Sequence, residues 1–212
     1  MTSVTAMDLV NLNRIRREYA RDPDAHALEF ARALNRMAVD YGPLPGAVRH
    51  LDEAEHVLRA LVANHGETPP RVHILAMALA NQAQLNAFSG EAGWADLARA
   101  LDASTDAVFW ARARGACAEN ASRAGAGGPA TADRAMLAQV LLVHARVQAA
   151  CALVDDAVAA FREAEELIRR GGIQADWSDA LRTVAAELGF DSSEWGEPLA
   201  REDRVARWYW YG

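Results

Sequence analysis

The chain has 212 residues, 51% of them apolar, and a formal net charge of −7; that is enough apolar material for one domain with a real core, and it excludes a chain that is disordered along most of its length. All 22 basic residues are arginine. Mechanisms that need a lysine amine are therefore excluded: Schiff-base and pyridoxal-phosphate chemistry, phosphate loops of the GxxxxGK(S/T) type, and kinases with their strand lysine.

Alanine is abundant, β-branched residues are sparse, and no stretch alternates apolar and polar residues over a strand's length. This predicts an all-helical protein. The first helix is expected over about Thr5–Ala20, capped by Thr5, with Leu9, Leu12, Ile15 and Tyr19 as its apolar stripe. Arg14, Arg16, Arg17 and Arg21 are read as solvated charges spread over more than one of its faces. Asp22-Pro23-Asp24 breaks the chain and starts a second helix that runs to about Tyr41. The segment Gly42-Pro43-Leu44-Pro45-Gly46 reads as a loop. A third helix carries Leu51, Ala54, Val57, Leu58 and Leu61 on one face and ends near Asn64. After a break from Gly66 to Pro70, Thr68 can cap a fourth helix from about Pro69 to Phe88. Following a turn at 89–93, a long helical pattern spans about Trp94–Ala124, with Ser104-Thr105 as the point where it could be interrupted. Gly125-Ala126-Gly127-Gly128-Pro129 is the strongest linker. A hairpin from Asp133 to Arg170 comes next, closed by Gly171-Gly172. A shorter helix, Asp176–Leu188, follows as a cap, with Gly189 at its C-terminal end. The tail after Phe190 is less regular.

One stretch, Leu141 to Leu167, reads LLVHARVQAACALVDDAVAAFREAEEL. Leu141 is large where the first helix of a hairpin needs bulk, and Ala145 is small where two helices cross. Val154-Asp155-Asp156-Ala157 opens the second helix, and Phe161 with Ala164 forms its large-then-small packing pair. In these positions the stretch resembles the tetratricopeptide repeat family, in the extended form common in high-GC actinobacterial proteins; His144 and Gln148 stand where large apolar residues are usual. An earlier hairpin fits less tightly, through Leu34, Met37, Ala38 and Tyr41, then Leu51-Asp52-Glu53-Ala54 and Leu58, with a longer loop between. A middle hairpin, from Arg71 to about Ala124, fits in outline at Leu79-Ala80-Asn81 and at Leu97 and Leu101. The resemblance covers roughly residues 22–170. It implies an α-solenoid of three helical hairpins with an N-terminal helix and a C-terminal helical cap. The domain is expected over 1–190, with a cap or aromatic tail over 191–212.

The same resemblance implies a concave groove, lined by the first helix of each hairpin, that takes a peptide. Carried over residue by residue, the groove would present Arg32 and Asn35, then Asn81 and Gln84, then Gln139 and Arg146. Arginine and amide side chains suit a peptide backbone or a carboxylate because they offer several donors in fixed geometry. Glu53-x-x-His56 has the spacing of a di-iron ligand pair, but no second such pair exists, so it reads as a solvated helix face. His144 is read as a buried polar residue bonding between helices, beside Gln148. The Gly125–Gly128 run lacks a preceding strand and a following lysine, so it reads as a linker and not as a phosphate cradle. Cys117 and Cys151, inside helical patterns, are read as small buried thiols.

No catalytic set, cofactor site or metal site can be proposed from spacing. The tail ends Arg207-Trp208-Tyr209-Trp210-Tyr211-Gly212. Its rings either cover the end of the helix stack or stay exposed and anchor an interface, with Trp208 and Trp210 the candidates. The expected function is a non-catalytic adaptor that binds a peptide or protein segment. A peptide-responsive regulatory sensor is one alternative, and a substrate or carrier that presents its aromatic tail to a partner enzyme is another. Nucleic acid is not an expected partner, because a chain this acidic lacks the basic face that displaces counterions. The N-terminus lacks a signal-like apolar run and no segment reaches spanning length, so a cytoplasmic chain without a membrane partner is expected.

Overall fold

Good helix formers punctuated by proline, glycine and acidic caps give eight α-helices and no strand among the described residues of the computed structural model, which are 6–42, 45–88, 92–123, 130–171 and 174–190. In chain order they are α1 (Ala6–Arg21), α2 (Pro23–Tyr41), α3 (Pro45–His65), α4 (Pro69–Phe88), α5 (Trp94–Arg123), α6 (Ala130–Ala150), α7 (Val154–Gly171) and α8 (Gln174–Glu187).

The boundaries follow local chemistry. Asp22 accepts the Ala25 N–H at 3.1 Å and Pro23 fills the first turn of α2, where a missing N–H costs nothing. For the same reason α3 starts at Pro45, inside the expected loop, and takes Pro45 and Gly46 into its first turn. Ser104 and Thr105 do not interrupt α5. Their hydroxyls turn back onto the Leu101 carbonyl at 3.0 and 2.8 Å, a bond the helix accommodates. The glycine-rich linker expected at 125–129 lies outside the described residues.

The α6–α7 turn closes with Ala152 in the left-handed region at φ 61. There the Leu153 N–H donates to the Gln148 carbonyl at 2.9 Å and the Ala152 N–H to the Ala149 carbonyl at 3.0 Å. This is the paired C-terminal closure that usually uses glycine. Gly189, at φ 77, closes α8 the same way. It delivers Phe190 onto Phe161, ring centroids 5.7 Å apart. Asp155 and Asp156 in the first turn of α7, and Arg169 and Arg170 in its last, complement the helix dipole.

Every helix packs on its successor, and α8 meets α6 as well as α7, so it touches both members of the last pair. The even-numbered helices also touch in series, α2 on α4, α4 on α6 and α6 on α8. Alanine is a main component of the core between these helices: Ala31, Ala38, Ala54, Ala76, Ala80, Ala107, Ala111, Ala145 and Ala164 are all fully buried. Large side chains flank them, among them Leu34, Leu51, Leu58 and Phe161. α4 lies at the centre, against α2, α3, α5 and α6, and is buried on every face from Ile74 to Leu85. α1 packs closely on α2 alone, so its buried arc is narrow. Leu12 and Ile15 enter the core, whereas Leu9, expected on the same stripe, is 42% exposed.

The odd-numbered helices are joined differently. Arg16 of α1 reaches Glu53 of α3 at 2.6 Å, Arg59 of α3 reaches Asp106 of α5, and Arg112 of α5 reaches Glu163 of α7 at 2.7 Å. A long arginine thus spans each gap that alanine contacts do not close.

Two substitutions test this packing by chemical denaturation. Phe161→Ala is expected to lower unfolding free energy by about 3–5 kcal/mol, because it opens a cavity in a fully closed site. Ala152→Gly is expected to raise it by roughly 1 kcal/mol, because it relieves a side chain held at positive φ.

Candidate interaction cleft

The residues that the repeat pattern assigns to a groove do not share one environment. Asn35 and Asn81 are fully buried, and the Asn81 amide donates to Asn35 Oδ1 at 2.9 Å across the α2–α4 contact. Gln84 is 3% exposed. Arg146 is 7% exposed and works as a strut. Its Nε and Nη2 donate to the two carboxylate oxygens of Glu187 at 2.6 and 3.0 Å, and its guanidinium lies 4.3 Å from the centre of the Phe88 ring. Asn35, Asn81 and Arg146 tie helices together, and Gln84 is buried with them. Arg32 is exposed and Gln139 is half-buried, so they remain on accessible surface. Trp208 and Trp210 lie outside the described residues.

The other chemistry-bearing residues are also tied into the fold. Glu53 pairs with Arg16 while His56 is exposed, so the Glu53-x-x-His56 spacing is a surface feature. His144 Nδ1 lies 2.9 Å from Ser104 Oγ, a bond between α6 and α5 of the kind expected. Burial, and then the charge of Arg112, hold its pKa below the ordinary value; Asp156 opposes them. His73 is likewise lowered by burial, then by Arg114 and Arg32, against Asp133. Cys151 is half-buried, not fully enclosed, and burial pushes its pKa up, away from thiolate reactivity. Glu18, His26 and Glu29 bring three potential ligand atoms within 4.8 Å of one another. Arg14 already contributes a positive charge there, with both Glu18 oxygens 2.7 Å from its Nη1.

An open cleft of about 450 Å³ lies elsewhere, where α3 and α5 part over the outer side of α4. Three helical stripes build it. Val48, Asp52, Glu55 and Arg59 come from α3; Leu79, Gln82 and Asn86 from α4; Arg99, Asp102, Ala103 and Asp106 from α5. Spacings of three and four residues put each set on one helix face. Leu79 and Ala103 form an apolar floor, 1% and 7% exposed.

Arg59 closes one side of this cleft. Burial disfavours its charge, but hydrogen bonds to Glu55 and Asp106 more than offset that, so its pKa is raised. Its Nε donates to Glu55 at 2.7 Å. Gln82 donates from Nε2 to Asp52 Oδ1 at 2.6 Å. The polar lining among the described residues therefore consists of carboxylates, guanidiniums and amides. Such a set can bind by charge and hydrogen bond.

In the sequence, Asp52 reads as the acidic opening of a helix and Leu79 as part of a repeat pattern, and the other lining residues carry no assigned role. The legible signal was the 3–4 periodicity of charge along α3 and α5; what brings the stripes together is the packing of both helices on α4. Comparison with protein families, characterised proteins and solved structures finds no match.

The buried imidazoles make stability depend on pH. His144 has a folded-state pKa below its ordinary 6.5, so the unfolded chain binds the proton more readily. Its contribution is complete above about pH 6.5 and is lost as pH falls toward the folded-state value. Unfolding free energy, measured by urea titration, is expected to fall as pH is lowered from 7 to 5, and His144→Gln is expected to flatten that decline.

Proposed function

We propose that this chain is a non-catalytic interaction scaffold: an α-solenoid of three tetratricopeptide-like hairpins that holds a segment of a partner protein. The hairpins are α2–α3, α4–α5 and α6–α7. α1 is the N-terminal helix, and α8 stands where the first helix of a fourth hairpin would stand and caps the stack. The serial contacts of α2, α4, α6 and α8 support this reading, as does the alternation of buried alanine with large side chains at the crossings.

The observation that carries the binding role is the cleft between α3 and α5. It is open to solvent and has an apolar floor and polar walls, the combination by which protein surfaces take up a peptide segment. The site proposed is thus on the outer side of α4, and the inner surface near Arg32 is the comparison site.

Affinity capture from the native host tests this reading with three baits: the intact chain, Asp102→Arg in the cleft and Arg32→Ala on the inner face. Both substituted side chains are exposed, so melting temperatures are expected to stay within a few degrees of the parent. A partner is expected that binds the intact chain and Arg32→Ala and is lost with Asp102→Arg. Identical captures with all three baits would remove the support for binding at this cleft.

A further inference from the structure

We infer that the cleft between α3, α4 and α5 is a receptor for an arginine side chain presented by a segment of a partner protein. This inference rests on the scaffold reading and specifies the chemistry of what is bound.

The cleft carries an excess of negative charge. Four carboxylates line the cleft, those of Asp52, Glu55, Asp102 and Asp106, against two guanidiniums, those of Arg59 and Arg99; four minus two leaves two formal negative charges. The two cations are committed. Arg59 is shared between Glu55 and Asp106. Arg99 turns away to Asp96, which does not line the cleft, at 2.5 Å. Asp102 has no partner among the described residues, and Asp52 receives only the neutral amide of Gln82.

A second feature points the same way. Gln82 is 9% exposed and reaches into the cleft. Its Nε2 is used by Asp52, while its carbonyl Oε1 has no donor among the described residues. That oxygen is open to the cleft and can accept from a ligand that donates. The unused groups of the cleft are thus acceptors set around a negative field. The complementary ligand carries positive charge and several N–H donors in one plane, as guanidinium does.

The floor selects for a side chain over a bare ion. The half-buried Val48, with the covered Leu79 and Ala103 beneath, gives an apolar surface on which methylenes can lie while the charged head reaches the carboxylates. A volume of about 450 Å³ admits an extended arginine with its flanking backbone. The overall charge of −7 adds a long-range attraction for a basic segment.

The test is a titration of the full chain, followed by NMR of backbone amides and by calorimetry. The probes are a five-residue peptide Gly-Ser-Arg-Ser-Gly with blocked ends, the same peptide with citrulline for arginine, the same with glutamate, free argininamide and spermidine. Saturable shifts confined to α3, α4 and α5 are expected with the arginine peptide. Citrulline keeps the shape and removes the charge, so its peptide is expected to bind at least about tenfold more weakly. Asp102→Asn and Gln82→Met are each expected to weaken the arginine peptide about fivefold or more. Asp102 is exposed, so its variant remains informative if Gln82→Met fails to fold.

Equal binding of the citrulline or glutamate peptide at these residues would overturn the charge inference and leave the scaffold reading standing. Spermidine or argininamide binding as tightly as the peptide would overturn the partner-segment assignment. Self-association abolished by Arg17→Glu with Arg21→Glu would assign the cleft to a second copy and overturn it as well. Absence of arginine-peptide shifts at millimolar concentration, with a host partner still lost through Asp102→Arg, would sink this inference alone.

Discussion

The close approach of neighbouring helices through alanine is the constraint from which the other features follow. A crossing built on Ala31, Ala38, Ala54, Ala76 and Ala80 lets backbones come near enough for the adjacent leucines and phenylalanines to interlock. It also leaves no room for water. A polar side chain at such a crossing must be bonded within the protein or carry the full cost of desolvation. Asn35 and Asn81 meet that demand by bonding each other. Arg146 meets it with both oxygens of Glu187 and the face of Phe88. Asn35, Asn81 and Arg146 are therefore consequences of tight packing and serve as fasteners.

The same constraint produces the cleft. Alanine contacts draw each helix onto its successor and the even helices onto each other, and α3 and α5 are both held against α4. They do not pack closely on one another, and the gap between them is spanned by Arg59. A gap so formed has walls from two independent helices and a floor from a third. Its shape is fixed by the core beneath it, not by a loop. Preorganisation of this kind reduces the ordering cost of binding, because the walls are already in place when a ligand arrives.

Much of the architecture was legible in the sequence. Asp22-Pro23, Gly189 and the alternation of alanine with large residues mark helix ends and crossings by local chemistry alone. The boundaries that shifted, such as Pro45 moving into α3, did so because proline is as compatible with a first helical turn as with a loop. The site was less legible. Asn81 and Gln84 look like surface residues until α4 is known to be enclosed by four neighbours, and no local pattern contains that fact. Arg146 looks like a free donor until Glu187, 41 residues away, is placed beside it. In the cleft, the periodicity of Asp52, Glu55 and Arg59 was visible, but its conjunction with Arg99, Asp102 and Asp106 depends on the common support of α4.

The electrostatics of the cleft set what kind of binding it can support. Asp102 is solvent-exposed and Arg59 only partly covered, so charges there are screened by salt and each contact is weak by itself. Strength in such a site comes from joining a screened attraction to an enclosed contact. Here the covered part is the floor of Leu79 and Ala103, and the Gln82 amide at its edge adds an acceptor open to the cleft. The charges speed and orient encounter, and the floor and amide decide how long an occupant stays. An occupant that satisfies only the charges leaves Gln82 Oε1 without a donor, and one that satisfies only the floor leaves Asp102 without a counter-charge. A side chain with a long apolar stem and a planar, many-donor cation answers both requirements in a single group.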